Sequence, residues 1–341
     1  MIIRFEELAA AKRLGGIDSA TNGVSDALAK NGAVVERSSL IQSSDVPPDG
    51  VHVHGIWSLD LISRWHSWQT KGIPVMASTH GMLEPWALAH KGWKKRIAWR
   101  IYQKRILDGT ACLHATSERE AENLRHLGVR RPIAVIPWGI EVRHTDDLPV
   151  TRERIVLFVG RIYPVKGLPL LLRAWASLRP EGWRLRLVGP DEGGHMEELK
   201  QLVAELGIGD SVTFTGSLRG DELAAEYRRA SLFVLPSHTE NFGMVVGEAM
   251  AHGLPVIATH GAPWELLEKE RCGWWVPISV EGIASALAKA IELPSPLLEE
   301  MGAKGQAIVK ERFEWEGVAR RFIDCYRWLQ GKGSCPDFVI K

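Results

Sequence analysis

Two stretches of this sequence carry side chains suited to binding anions and polyols. The first is Gly160-Arg-Ile-Tyr-Pro-Val-Lys-Gly167, directly after an apolar β-branched run at 155–159. Glycines at both ends let the backbone turn sharply, and Arg161 with Lys166 can converge on one anion, while the start of the apolar segment from Leu168 adds the positive end of a helix dipole. A diphosphate suits that combination, although a solvated basic loop would use the same residues. Neither GxxxxGK[ST] nor GxGxxG is present, so this is not a P-loop or a dinucleotide fingerprint. The second stretch runs Pro236-Ser-His-Thr-Glu-Asn-Phe-Gly-Met-Val-Val-Gly-Glu-Ala-Met-Ala-His-Gly-Leu-Pro255, after the apolar run 232–235. A helix beginning near Gly243 puts Glu240 in the loop before it and Glu248 on its second turn, so both carboxylates can point the same way. Asn241, Phe242 and Gly243 bring unpaired backbone N–H groups to that helix start, suited to sugar hydroxyls or a phosphate oxygen. Glu240 also fits as a charge favoured by the helix dipole, and Glu248 as a surface helix residue. Against the second of these, Glu248 lies between Val245-Val246-Gly247 and Ala249-Met250, an apolar face on which a carboxylate needs a partner.

Open α/β sheets bind ligands beyond the carboxyl ends of their strands, and the rest of the chain supplies such sheets. From about residue 50, short β-branched runs alternate with longer segments of helical period, the rhythm of βαβ units. Strands are expected at 51–57, 74–78, 111–116 and 133–136, with helices near 59–70, 92–107 and 117–127. A second set of strands is expected at 155–159, 185–188, 212–215, 232–235 and 256–258. Near the start, 2–5 reads as a short strand followed by a helical 6–12. The stretch 141–149 lacks apolar period and carries Asp-Asp and Pro, so it reads as a linker. The expected fold is α/β, two Rossmann-like doubly wound domains facing across a cleft: 1–148, then 149–314, then a helix 315–330 crossing back to the first domain and a polar tail 331–341.

The whole chain has 341 residues, 45% hydrophobic and 24% charged, the balance of an ordinary globular protein of about two domains. With 42 Lys+Arg against 41 Asp+Glu, the net charge of +1 argues against a general nucleic-acid binder. Four scattered cysteines show neither CxxC spacing nor the density of a disulfide framework, which fits a reducing, cytoplasmic setting. No apolar h-region follows Met1 and no run approaches the length of a membrane span, so neither signal peptide nor transmembrane helix is expected.

In the first half, His80 follows a strand and precedes Gly81, at a carboxyl end. His52 and His54 alternate on one strand face, but no third residue at metal-ligand spacing accompanies them, so no metal site is expected. His52 reads as structural and His54, at the strand end, as a site candidate. The run 91–105 holds seven cations, two tryptophans and a tyrosine and no acid. An anionic membrane surface attracts such a helix at about 1 kcal/mol per cation. The alternative is a solvated helix whose Trp99 and Ile101 face the core.

GRIYPVKG, Val188-Gly189-Pro190, TENFGMVVGEAMAHGLPVIAT with its Glu-x7-Glu spacing, and Gly273-Trp-Trp-Val-Pro277 together resemble the nucleotide-sugar domain of glycosyltransferase family 4, of GT-B fold. Gly15-Gly16-Ile17, VHVHGIW, Ala77-Ser-Thr-His-Gly-Met82, His114-Ala-Thr-Ser-Glu118 and Val135-Ile-Pro-Trp-Gly-Ile140 extend the resemblance over the first half, where that family has its acceptor domain. Trp138 stands where the family commonly has Asn. The resemblance implies that Arg161 and Lys166 hold the donor diphosphate, Glu248 the ribose hydroxyls, and Glu240 with the backbone of Asn241, Phe242 and Gly243 the transferred sugar. It further implies that His80 contacts the donor sugar or phosphate and that Gly15 and Gly16 form a glycine loop closing over the donor. His54 and Glu84 are candidates for the acceptor. The implied reaction is a retaining transfer of sugar from a nucleoside diphosphate to a glycan or lipid-linked glycan, in lipopolysaccharide or exopolysaccharide assembly on the cytoplasmic face of a membrane. No Asp-x-Asp occurs, so no metal or other cofactor is expected, with the two cations neutralising the leaving group instead. A sugar-nucleotide epimerase, a phosphorylase or an inactive sugar-nucleotide-binding partner are the alternatives.

Overall fold

Apolar β-branched runs become buried parallel strands because both faces of such a sheet are covered by the helices that connect them. The computed structural model describes residues 1–8, 15–38, 46–89, 92–141 and 152–341. Two units result: Met1–Gly139 together with Phe313–Lys341, and Ile140–Arg312.

In the first unit the strands are β1 (Ile2–Glu7), β2 (Val34–Arg37), β3 (Gly50–His54), β4 (Val75–Ser78), β5 (Cys112–Ala115) and β6 (Ile133–Val135). The second unit contributes β7 (Ile155–Val159), β8 (Arg184–Val188), β9 (Val212–Gly216), β10 (Leu232–Leu235), β11 (Val256–Thr259) and β12 (Gly273–Val276), and the chain closes with β13 (Val339–Ile340) back in the first unit. The second sheet runs β12-β11-β10-β7-β8-β9, parallel throughout. Its order reverses between β7 and β10, so connections leave those two strands toward opposite faces and open a crevice at their carboxyl ends. Both chemistry-bearing stretches of this unit start there. The first sheet runs β13-β6-β5-β4-β3-β1-β2, with its reversal between β1 and β3; only β13 is antiparallel.

Core packing follows from the sequence periods. Helix Leu59–Thr70 buries Leu61, Ile62 and Trp65, of which Leu61 and Trp65 join Leu107, Leu113 and Leu124 in the core of the first unit. Each such side chain contributes about 1.5–3 kcal/mol by leaving water. Helix Trp315–Leu329 buries Val318, Phe322, Ile323 and Tyr326 in the same unit. It approaches helix Gly15–Lys30 closely because residue 23 is Gly: a Cβ there would lie 2.1 Å from the Trp315 ring.

Several expectations need correction. Glu6 and Glu7 are not helical but complete β1, where Glu6 meets Arg64 and Glu7 meets Arg37 across the ends of neighbouring elements. Residues 9–12 of that expected helix, and all of the linker but Glu141, lie outside the described residues. β2 was not expected, since its Val34-Val-Glu-Arg37 alternates too briefly to stand out. The helix 92–107 is interrupted by a π-helical turn over Trp99–Gln103, flanked by Gly92–Ala98 and Lys104–Asp108. That turn directs Gln103 inward, fully buried, where its Oε1 accepts the N–H of Trp57 at 3.1 Å. The tail 331–341 is tied down at its end, where β13 pairs with β6 and Val339 is buried.

Candidate functional site

The second unit positions its cations by tight backbone geometry. After β7 the chain turns through Gly160, makes one 3-10 turn (Pro164–Lys166) and enters helix Leu168–Leu178 through Gly167 at φ 65°. Only Gly serves at 167: a Cβ there would lie 2.1 Å from the Pro236 carbonyl oxygen. That close approach is sealed by His238 N–H donating to Val165 O at 2.8 Å, which brings the loops after β7 and β10 side by side. As a result Lys166 Nζ donates to Glu240 Oε1 at 2.5 Å, and Ser237 Oγ donates to the same oxygen at 2.6 Å. The pair is only 13% exposed on each side, so water screens it little. Arg161, expected to act with Lys166 on one anion, is paired separately. Its guanidinium is turned to the carboxylate of Glu192, in the loop after β8, in a pair exposed by 32% and 40%. An exposed pair of this sort is worth about 0–1 kcal/mol, little enough for an incoming diphosphate to displace.

Helix Met244–Ala251 starts at Gly243 with no side-chain cap, leaving its first N–H groups for other acceptors. Phe242 is anchored: its ring packs on Trp264 at 5.2 Å and its carbonyl accepts Trp264 Nε1–H at 2.5 Å. Asn241 sits in the bend between Glu240 and this anchor. Glu248, on the second turn, finds the partner its apolar surroundings demand. Tyr227 Oη, buried on the neighbouring helix Gly220–Arg229, donates to Glu248 Oε2 at 2.9 Å. Burial raises the Glu248 carboxyl above its usual range, Tyr227 opposes that rise, and nearby Glu141 adds to it.

The first unit gathers its candidates at the carboxyl ends of β3 and β4. His52 and His54 stack at 4.1 Å, as their alternation requires. His80 takes a left-handed backbone (φ 50°) beyond β4, its Nε2 3.2 Å from His54 Nδ1 and its ring stacked on Trp138 at 5.5 Å. Around them runs a hydrogen-bonded chain: Tyr326 Oη, His52, Ser78, His114 and the Ile136 carbonyl, with steps of 2.7, 2.7, 2.6 and 2.7 Å. Its direction is fixed, since the carbonyl can only accept. His114 Nε2–H donates to Ile136 O, Ser78 O–H to His114 Nδ1, His52 Nε2–H to Ser78 Oγ, and Tyr326 O–H to His52 Nδ1. Every imidazole here is neutral. Burial, with neighbouring histidines, lowers His52 and His54 well below the ordinary histidine range; burial with His114 lowers His80 to about 3, and burial alone lowers His114 to about 4.

Glu84 is buried and accepts Asn123 Nδ2–H at 2.8 Å, with burial and then Glu120 raising it to about 7. Glu120 lies beside it and ties the loops after β4 and β5 together, accepting from Thr79, Gly81 N and Thr116. Gly15 and Gly16 open helix Gly15–Lys30 instead of forming a loop, and the approach through 9–14 lies outside the described residues. Ser78, His114, Glu120, Tyr227, Trp138 and Glu192 thus belong to the two clusters though spacing gave no sign of most of them. Helix starts do announce one: Ser117 caps helix Glu118–His126 by accepting Glu120 N–H, a Ser-x-x-Glu pattern visible in the sequence. Among the described residues no group of three or more His, Cys, Asp or Glu is arranged to hold a metal ion.

On the basic run, Trp99 packs toward the core but Ile101 does not. Trp93, Ile97 and Ile101 form a stripe at helical spacing that is 61%, 50% and 70% exposed, beside Trp86 at 43%.

Comparison with known proteins places these clusters in context. The family of Glycosyl transferases group 1 matches residues 143–307, and the Glycosyl transferase 4-like domain matches 15–139. A D-inositol 3-phosphate glycosyltransferase of Streptomyces bingchenggensis is 33% identical over 300 residues, covering 80% of this chain and 66% of that protein. A GDP-mannose-dependent alpha-(1-6)-phosphatidylinositol monomannoside mannosyltransferase of Mycobacterium tuberculosis is 30% identical over 278 residues, covering 74% of this chain and 69% of that one. The chain therefore spans about two thirds of the length of these curated relatives. The structure of Anabaena HepE in complex with UDP and glucose superposes with a TM-score of 0.73 at 19% identity over 95% of this chain and 99% of that one, a likeness of fold. With both halves matched and a relative at this identity, the chain belongs to glycosyltransferase family 4, the group 1 glycosyl transferases, and has the GT-B fold.

Proposed function

We propose that this protein is a retaining transferase that moves a sugar from a nucleoside diphosphate to a glycan or lipid-linked glycan, with no metal ion. The observation that carries this reading is the Lys166–Glu240 pair at the point where the second sheet reverses, with Glu248 one helix turn beyond. Lys166 and Arg161 supply positive charge for the diphosphate, and Glu248 accepts hydroxyls of the ribose. Glu240 and the N–H groups of the helix start after Gly243 hold the transferred sugar. In the proposed step the acceptor hydroxyl oxygen bonds to the anomeric carbon on the face from which the diphosphate departs. The carbon–oxygen bond to phosphate breaks, and the hydroxyl proton passes to a diphosphate oxygen while the two cations stabilise its charge. No strong protein base is needed. GDP-mannose in one relative's name and UDP in HepE support a nucleoside diphosphate donor. His80 serves the sugar and Glu84 the acceptor, while His54, proposed from the sequence for the acceptor, is buried behind His80, and assembly of lipopolysaccharide or another surface polysaccharide is the proposed setting.

The exposed Trp93, Ile97 and Ile101 stripe favours an additional role for the basic helix, a cytoplasmic-face contact with anionic lipid. Lys94, Arg96, Arg100, Lys104 and Arg105 surround it, and none of the described helices is long and apolar enough to cross a membrane. Sedimentation with phosphatidylglycerol vesicles, but not with phosphatidylcholine vesicles, is expected, and loss of binding in the Trp93→Glu, Ile101→Glu double variant checks it.

The transfer reading is tested by incubating the protein with UDP-glucose or GDP-mannose in EDTA and following the sugar by proton NMR. Release first as the donor's own anomer is expected. Release as the opposite anomer, or release only when a divalent ion is added, contradicts it.

A further inference from the structure

His80 is held on one side and open on the other. Its Nε2 lies 3.2 Å from His54 Nδ1, its ring is stacked on Trp138 with 13° between planes, and its backbone is left-handed. Its Nδ1 makes no hydrogen bond to the described residues, and the residue is only half-buried. The contact with His54 joins two neutral imidazoles, so one ring must donate and the other accept.

His54 decides which. Its second nitrogen, Nε2, is sealed from solvent and has no hydrogen-bond partner. Were His80 Nε2–H the donor, the only proton of His54 would sit on that Nε2 as a buried N–H with no acceptor. With the opposite polarity, only a bare lone pair is left there. Orphaned buried N–H groups are rare in folded proteins and under-satisfied acceptors less so, which favours the second arrangement. The neighbouring chain from Tyr326 to the Ile136 carbonyl has all its protons assigned and touches His54 only by stacking, so it neither lends a proton to the pair nor takes one.

We propose that His54 is a positioning residue that fixes His80 in its Nδ1–H tautomer, so that His80 meets its ligand as a neutral hydrogen-bond donor and not as a base. The ligand class that follows is an oxygen acceptor, a hydroxyl or phosphate oxygen. Its identification with the sugar nucleotide rests on the transfer reading above, but the tautomer does not. Trp138 stacks on the ring, and the residue stands just beyond the carboxyl end of β4, where α/β proteins bind ligands.

The test is a long-range proton–nitrogen correlation on the full chain labelled with 15N-histidine at pH 7.5, the His80 signals being assigned by their loss in His80→Gln. A protonated Nδ1 and a bare Nε2 are expected. A protonated Nε2 in the unaltered protein overturns the proposal without recourse to any variant. His54→Asn keeps a donor where Nδ1 stands and should preserve the pattern, whereas His54→Phe keeps the ring and should release His80 into a mixture of tautomers. An unchanged His80 pattern in a folded His54→Phe protein also overturns it. Calorimetric titration with UDP-glucose and GDP-mannose adds a second reading: about tenfold weaker binding in His54→Phe and near-normal binding in His54→Asn. Failure of both nucleotide sugars to bind the unaltered protein would count against the transfer reading and leave the tautomer measurement intact.

Discussion

At the carboxyl ends of the second sheet, charge meets charge in Lys166 with Glu240 and Arg161 with Glu192, and the Glu248 carboxyl accepts from a neutral phenol. At the corresponding ends of the first sheet, four neutral imidazoles meet one another, a serine, a tyrosine and a tryptophan. Both are polar clusters at a sheet's point of reversal, but they answer burial differently. The second unit keeps its ions by pairing them near the surface, and the first has removed charge and satisfies its polar atoms by a directed chain of hydrogen bonds. A group that must neutralise a departing diphosphate needs permanent charge. A group that must orient hydroxyls needs only fixed donors and acceptors.

This contrast makes the first unit sensitive to acid through its buried histidines, and the largest expected effect is there. His52, His54, His80 and His114 stay neutral in the folded protein to well below 6.5, to about 3 for His80 and about 4 for His114. Unfolded, each takes a proton as pH falls through 6.5, so stability of the first unit is lost between pH 6.5 and 4, by up to about 1.4 kcal/mol per pH unit for each histidine. Glu84 works in the other sense: its folded carboxyl, raised to about 7, holds a proton that the unfolded chain releases, which favours the fold at lower pH. Glu84→Gln is therefore expected to steepen the acid-side loss. Melting temperatures across pH 7.5 to 5 for both proteins check this, and equal slopes would break the comparison.

Next in size is Lys166→Ala, expected to cut turnover by about 10²–10³-fold, as removal of one donor to developing negative charge does elsewhere. Ser237 still holds Glu240 in that variant, so the melting temperature is expected to change by only a few degrees. Kinetics alongside a melting curve separate the two effects. Tyr227→Phe should have the smallest effect, weakening donor binding by about 1 kcal/mol. Because Tyr227 restrains the rise of the Glu248 carboxyl, its removal should shift the acid limb of donor binding to higher pH. A titration of donor binding against pH shows whether the limb moves; a fixed limb would mean that Tyr227 only packs.

The same contrast explains what the sequence disclosed. The charged cluster was legible because its members sit in two contiguous loops, each announced by glycines after a buried strand, and because a carboxylate on an apolar helix face is conspicuous. Its supports were less so: Glu192 and Tyr227 come from other connections, the latter 21 residues before its partner. The neutral cluster was legible only as the His52 and His54 alternation and a strand-end His80. Its remaining members arrive from β4, β5, the segment after β6 and a helix whose Tyr326 is 274 residues from His52, a distance over which no spacing rule operates. The doubly wound sheets followed from hydrophobic rhythm. The π-turn at Trp99–Gln103 and the pairing of β13 did not, because one depends on burying a single glutamine and the other on an edge supplied by β6.

The most direct measurement is a calorimetric titration of UDP and of GDP into the protein in EDTA, repeated with Glu248→Gln. Binding of one nucleoside diphosphate without metal, at least tenfold weaker in the variant, is the predicted result. Binding that appears only with a divalent ion, or that is equal in both proteins, would contradict the assignment of the charged cluster to the donor.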